Sequence, residues 1–186
     1  RGTFRGGSGD YRMSRQKRKR LAVYTLGSLF FLALLVTADQ LTKYLAVVQL
    51  KDKPSVSLIP GVLELRYLEN RGIAFGMFQG KTFLFLILCA VFFIAAVYCF
   101  IKLPKTAYYF PILAILVLMS AGGIGNFIDR VYRGYVVDFI YFSLIDFPIF
   151  NLADIYVVLG GILLVLFVCL KYKEEDFKFL TPGKKG

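Results

Sequence analysis

The chain alternates long apolar runs with short polar breaks, and the runs set its architecture. Residues 21–38 carry no charge, and at about 1.5 Å per residue such a run is long enough to cross a hydrocarbon core of about 30 Å. Comparable runs follow at about residues 82–101, 107–124 and 150–170, so four membrane spans are expected. The interval 51–80 is the one long extramembrane connection, punctuated by Pro54, Pro60 and Gly61. Within it the segment VLELRYLE, residues 62–69, alternates apolar and polar side chains as a half-buried strand does. A small sheet lying against the membrane surface follows.

The polar breaks then orient these elements. Residues 1–12 are glycine-rich, lack periodicity and precede Met13, which reads as a natural initiator, so residues 1–13 read as an appended remnant and the start, with residues 1–12 outside the fold. Residues 14–175 read as a single four-helix membrane domain and residues 176–186 as a basic tail. Five basic residues, Arg15, Lys17, Arg18, Lys19 and Arg20, precede the first span. Lys102 and Lys105 flank Pro104 between the second and third spans, and five lysines follow the fourth. With four spans all three basic segments fall on one side, which makes both termini cytoplasmic. The opposite, extracytoplasmic boundary then collects Asp39, Asn70, Asn126, Asp129, Arg130, Asp138, Asn151 and Asp154 from four separate segments.

Composition narrows the class. A chain with 58% hydrophobic residues, 19 phenylalanines and a mean hydropathy of +0.64 does not suit a soluble surface. Its net charge of +11 lies mainly beside spans rather than on a basic face interleaved with aromatics, so no nucleic acid partner is expected. Cys89, Cys99 and Cys169 form no CxxC pair and are expected to be buried small hydrophobes. Histidine is absent, which excludes Ser-His-Asp and Cys-His arrangements within the chain and leaves hydrolytic chemistry to carboxylates, without a metal or other cofactor.

Those carboxylates concentrate in residues 122–154, which hold four aspartates, two asparagines and two arginines between apolar segments. An ionisable residue at the centre of a membrane helix costs about 2.5–3.5 kcal/mol, so such residues face an interior cavity and serve a function. If the third span continues as a helix, Gly122, Asn126, Asp129 and Arg133 form one stripe, with the glycines allowing close helix approach. Asp39 and Lys43, four apart, share a helix face. Asp138 is embedded in VVDFI, and Asp154 opens the fourth span, where by itself it reads as a helix cap. Two carboxylates about 3 Å apart at an effective dielectric of about 20 repel by roughly 5 kcal/mol, about four pKa units, so they share a proton near neutrality. The ionised one can take a proton from water while the protonated one donates to a carbonyl oxygen, which is acid and base catalysis of amide hydrolysis. Spacing alone does not choose the pair among Asp129, Asp138, Asp146 and Asp154. A proton-coupled carrier and a lipid-modifying enzyme would use similar groups, but a carrier spreads its acids through the membrane depth and often carries an inverted repeat, missing here.

The ordered motifs DQLTK from Asp39, NRGIAFG from Asn70, GGIGNFIDR from Gly122, VVDFI from Val136 and FPIFNLAD from Phe147 resemble those of the lipoprotein signal peptidases, or signal peptidase II, membrane aspartic proteases of bacteria. The resemblance implies that Asp138 and Asp154 are the catalytic pair. It implies supporting or substrate-binding roles for Asp39, Lys43, Asn70, Gly122, Asn126, Asp129, Arg130 and Asn151, and leaves Asp146 as a loop residue. The implied reaction removes the signal peptide of a prolipoprotein just before a cysteine bearing diacylglycerol, with the enzyme a monomer in the bacterial cytoplasmic membrane among its lipids. The expected fold is an all-α polytopic membrane protein: four transmembrane helices with a small extracytoplasmic β-sheet, a β-cradle, and a short surface helix.

Overall fold

The computed structural model describes residues 7–72 and 82–180. Four helices carry the apolar runs: α1 (Gly7–Leu50), α2 (Thr82–Lys102), α3 (Phe110–Arg133) and α4 (Leu152–Leu170). Among the described residues α1, α3 and α4 are each long and apolar enough to cross a membrane, and α2 is a further apolar helix. Three strands, β1 (Val56–Ile59), β2 (Leu63–Asn70) and β3 (Val136–Phe142), form an antiparallel sheet in the order β1-β2-β3.

Two helices outrun their apolar cores. At 44 residues α1 extends about 66 Å, more than twice the hydrocarbon thickness. It therefore carries its basic segment out at one end and Asp39 and Lys43 out at the other. Helix α3 starts with a proline in its first turn, where a missing N–H is harmless, and ends at Arg133, well beyond the expected limit at residue 124. Gly134 stops it in the left-handed region at φ 77°, its N–H bonding the Arg130 carbonyl.

The sheet recruits more chain than its pattern suggests. β1 and β2 form a hairpin within the long connection, with Gly61 at φ 70° in the turn, but β3 comes from the α3–α4 connection. Val136, Val137, Asp138 and Phe139 are all buried, so β3 lacks the alternation that marks a half-exposed strand. Ala46 and Leu50 of α1 pack on Val137 and Phe139, seating the helix against the sheet. A bridge from Ile140 to Phe150, with backbone bonds of 2.8 and 3.0 Å between them, closes the loop from β3 to α4. Within that loop Ser143–Ile145 makes a short 3₁₀ turn.

A second core cluster lies at the far end, where Leu103, Ile112, Leu113 and Tyr172 are buried among Tyr24, Tyr109 and Phe177. Between the two clusters the helices present apolar side chains outward, Phe30, Ile94, Val158 and Val165 among them, as a bilayer requires. Of the three cysteines only Cys89 is buried; Cys99 is half-buried and Cys169, expected to be buried, is exposed on this outward surface of α4. In an apolar helix a small hydrophobe sits as well facing lipid as facing protein.

Candidate active site

Because α1 continues through residue 38 without a break, Asp39 and Lys43 lie one turn apart on a single face, and both side chains are 0% exposed. Lys43 Nζ is 2.9 Å from Asp39 Oδ2 and 3.2 Å from Asp129 Oδ2, and it donates to Asn126 Oδ1 at 2.9 Å. Both carboxylates have further contacts. Asp39 Oδ1 accepts the backbone N–H of Ala153 at 3.0 Å, in the first turn of α4. Asp129 Oδ2 accepts the N–H of Val137 at 3.1 Å, and its Oδ1 pairs with Arg133 Nε at 3.3 Å. One buried ammonium and two buried carboxylates thereby lock α1, α3, α4 and β3 together. Removing the ammonium would leave both carboxylates buried without their shared partner.

Asp138 lies against this network on β3. In the sheet Leu68 is opposite Asp138 and Asn70 opposite Val136, so Asn70 is the diagonal neighbour of Asp138 on the same face. Asn70 Nδ2 donates to Asp138 Oδ2 at 2.8 Å, and Asn151 Nδ2 donates to Oδ1 at 2.6 Å. The Asn70 Oδ1 accepts the N–H of Gly72 at 3.0 Å, and Arg130 Nη2 donates to the Gly72 carbonyl at 2.7 Å. Helix α3 therefore holds the turn that holds Asn70.

Asp154 arrives from α4 through a reciprocal cap. Asn151 is the N-cap: its side chain accepts the Asp154 N–H at 3.0 Å, while Asp154 Oδ2 accepts the Asn151 N–H at 3.1 Å. The other oxygen of Asp154 accepts Asn126 Nδ2 at 2.8 Å. Asn151 Nδ2 also reaches Asn126 Oδ1 at 3.2 Å, so the two asparagines link both carboxylates and the ammonium. Capping and participation in the cluster are thus one and the same arrangement for Asp154.

The two carboxylates have unlike surroundings. Asp138 is 1% exposed, whereas Asp154 is half-buried. Burial first, and then the charge of Asp154, push the Asp138 carboxyl up to about 7, against the opposing pull of Asn70, Asn151 and Lys43. A carboxyl that ionises near neutrality beside a second carboxylate is suited to acid and base catalysis.

Nine of the ten expected site residues belong to this contact chain. Gly122 stands apart as a packing position: a Cβ there would collide with the Ala153 carbonyl and come within 2.7 Å of Val157 Cγ2. Asp146 lies outside the cluster, at φ 49° after the 3₁₀ turn, accepting the Tyr141 hydroxyl at 2.6 Å. Of the NRGIAFG motif, residues 73–76 lie outside the described residues.

Three participants were absent from the expected set. Gln40 Nε2 donates to Asp39 Oδ2 and to the Gly125 carbonyl, each at 3.1 Å. Gly125 leaves room for Asp39, whose carboxylate a Cβ would overlap. Arg133, on the expected stripe, reaches the cluster through its ion pair with Asp129. Gly125 sits three residues after Gly122, and that spacing was the available signal for a second helix contact.

The chain matches the family model described as signal peptidase (SPase) II over residues 31–170. It is 45% identical over 138 residues to a lipoprotein signal peptidase of Caldanaerobacter subterraneus subsp. tengcongensis, covering 74% of this chain and 92% of the relative. A lipoprotein signal peptidase of Streptococcus thermophilus is 40% identical over 142 residues, covering 76% and 90%. A solved bacterial membrane enzyme superposes with a TM-score of 0.70 at 37% identity, covering 80% of this chain and 92% of that one.

Proposed function

Since this chain belongs to the signal peptidase II family, we propose that it removes signal peptides from prolipoproteins with Asp138 and Asp154 as its catalytic pair. The observation that carries the assignment is the bridge of asparagine amides. Asn151 donates to Asp138 and Asn126 donates to Asp154, so carboxylates from two elements are aimed into one polar site at the end of an apolar bundle. Asp39 and Asp129, by contrast, are committed to Lys43.

In this reading the pair shares one proton. The more buried Asp138 holds it, and Asp154, half-buried at the start of α4 where the helix dipole favours negative charge, is ionised. Asp154 takes a proton from water as the water oxygen attacks the scissile carbonyl carbon, and Asp138 gives its proton to the carbonyl oxygen. The tetrahedral intermediate collapses as the C–N bond breaks: one of its hydroxyls returns a proton to Asp138 as the C=O re-forms, and the proton on Asp154 passes to the departing amine, restoring the starting pair. Asn70, Asn126 and Asn151 orient the carboxylates. Asp39, Lys43, Asp129 and Arg130 hold the elements that carry them.

The substrate is a prolipoprotein cleaved on the N-terminal side of a diacylglyceryl-modified cysteine, entering from the bilayer beside the apolar helices. The basic segments at the opposite end support cytoplasmic termini, an extracytoplasmic site and a single membrane domain over residues 14–175.

A diacylglyceryl-modified signal-peptide substrate incubated with the purified protein in detergent tests the assignment. Asp138→Asn and Asp154→Asn should each lower kcat by about 10²–10⁴-fold or more. Normal turnover by either variant would refute the pair.

A further inference from the structure

At the bundle end opposite the carboxylates, α1, α2 and the turn before α3 enclose a cavity of about 880 Å³. Four cations line it: Lys17 and Arg20 of α1, Lys102 at the end of α2, and Lys105 in the turn. None of the four has a carboxylate partner among the described residues. The Lys105 ammonium donates to the carbonyl of Phe100, and at 2.9 Å to that of Leu103. Those bonds fix its position without neutralising its charge. Lys102 lies over the Tyr98 ring, 5.8 Å from its centroid. The rest of the wall is largely apolar, with Leu21, Ile101 and Pro104 beside the cations.

We propose that this cavity is a binding site for the phosphate-bearing headgroup of an anionic phospholipid from the surrounding bilayer. The positive rim complements a phosphodiester, and the apolar wall complements the glycerol and the first methylenes of its chains. The volume lies within the range of about 300–1,000 Å³ typical of small-molecule sites. Basic pockets between transmembrane helices at the cytoplasmic face are suited to such headgroups, because the lipid reaches them without leaving the membrane plane. A free phosphate would match the rim but leave the apolar wall uncovered. The proposal rests on the membrane placement of the helices and not on the peptidase assignment.

The pattern along α1 supplies its own control. Residues 16, 17, 20 and 21 line the cavity, whereas Arg15 and Arg18 on the same exposed segment do not. The full-length protein is reconstituted in nanodiscs of mixed phosphatidylglycerol and phosphatidylcholine, and retained lipid is read by native mass spectrometry. Wild type should retain phosphatidylglycerol in preference to phosphatidylcholine. Lys17→Gln/Arg20→Gln should weaken that retention on the order of 10- to 30-fold. Arg15→Gln/Arg18→Gln, which removes the same charge, should leave it unchanged. Equal losses in both double variants would overturn the proposal in favour of diffuse surface attraction, as would the absence of a phosphatidylglycerol preference. Displacement of the lipid by inorganic phosphate at equal concentration would overturn the lipid as occupant.

Discussion

The side-chain amide of Asn126 is turned by Lys43. An ammonium only donates, so the amide oxygen faces Lys43 and the nitrogen is left to face Asp154. Lys43→Met would remove that constraint and leave Asp39 and Asp129 buried without their shared partner. It should cost about 3–5 kcal/mol in thermal unfolding, and adding Asp39→Asn should recover part of the loss in a double-mutant cycle. Asp138 sets the pH response. Its carboxyl ionises at about 7 against an ordinary 3.8, so between those values the folded protein binds more protons than the unfolded chain. This contribution to stability is therefore greatest at low pH and is lost as pH rises through about 7, by on the order of a few kcal/mol. Denaturation midpoints across pH 4–8 should show that decline in wild type and a flatter profile in Asp138→Asn. Hydrolysis should also fall above about pH 7, as the pair loses its shared proton.

At the scale of elements, α3 approaches α4 at Gly122 and α1 at Gly125. Gly125→Ala should push Asp39 away from the Ala153 N–H, with overpacking of about 1–3 kcal/mol and a drop in kcat. Gly123→Ala should be milder in unfolding midpoint, since its Cβ would meet the tip of the Phe93 ring at 3.3 Å. The four helices and the strand at 62–69 were legible because their apolar periods match single elements. β3 was not: four successive buried residues give no alternation, and its partner β2 lies across α2 and α3 in the chain. The polar residues of the cluster were legible as a set because charges are rare in apolar surroundings. Their pairing was not, since choosing Asn126 for Asp154 and Asn70 for Asp138 depends on sheet register and helix packing.

Across the whole molecule, the polar cluster beside the sheet and the aromatic cluster around Tyr172 occupy opposite ends of the bundle. At the far end Tyr172 stacks on Tyr109, 5.9 Å between centroids, and donates to the Tyr108 carbonyl at 2.8 Å. Tyr172→Ala should lower the unfolding midpoint by the equivalent of about 3–5 kcal/mol while leaving turnover of the folded enzyme unchanged. A parallel loss of turnover in fully folded protein would show that the two ends are coupled. The Ile140–Phe150 bridge bears on how the molecule is made. It joins chain only ten positions apart, drawing the segments of Asp138 and Asp154 together by local contacts. Asn151 and Asn126 reach those carboxylates from 13 and 28 positions away, whereas 68 positions separate Asn70 from Asp138, and 114 separate Asp39 from the Ala153 N–H beside Asp154. Closing long loops is slow compared with closing short ones. On the proposed assignment, a newly synthesised chain should bring its two acids together before Asn70 and Asp39 reach their partners, so that competence for cleavage would wait on the most distant contacts.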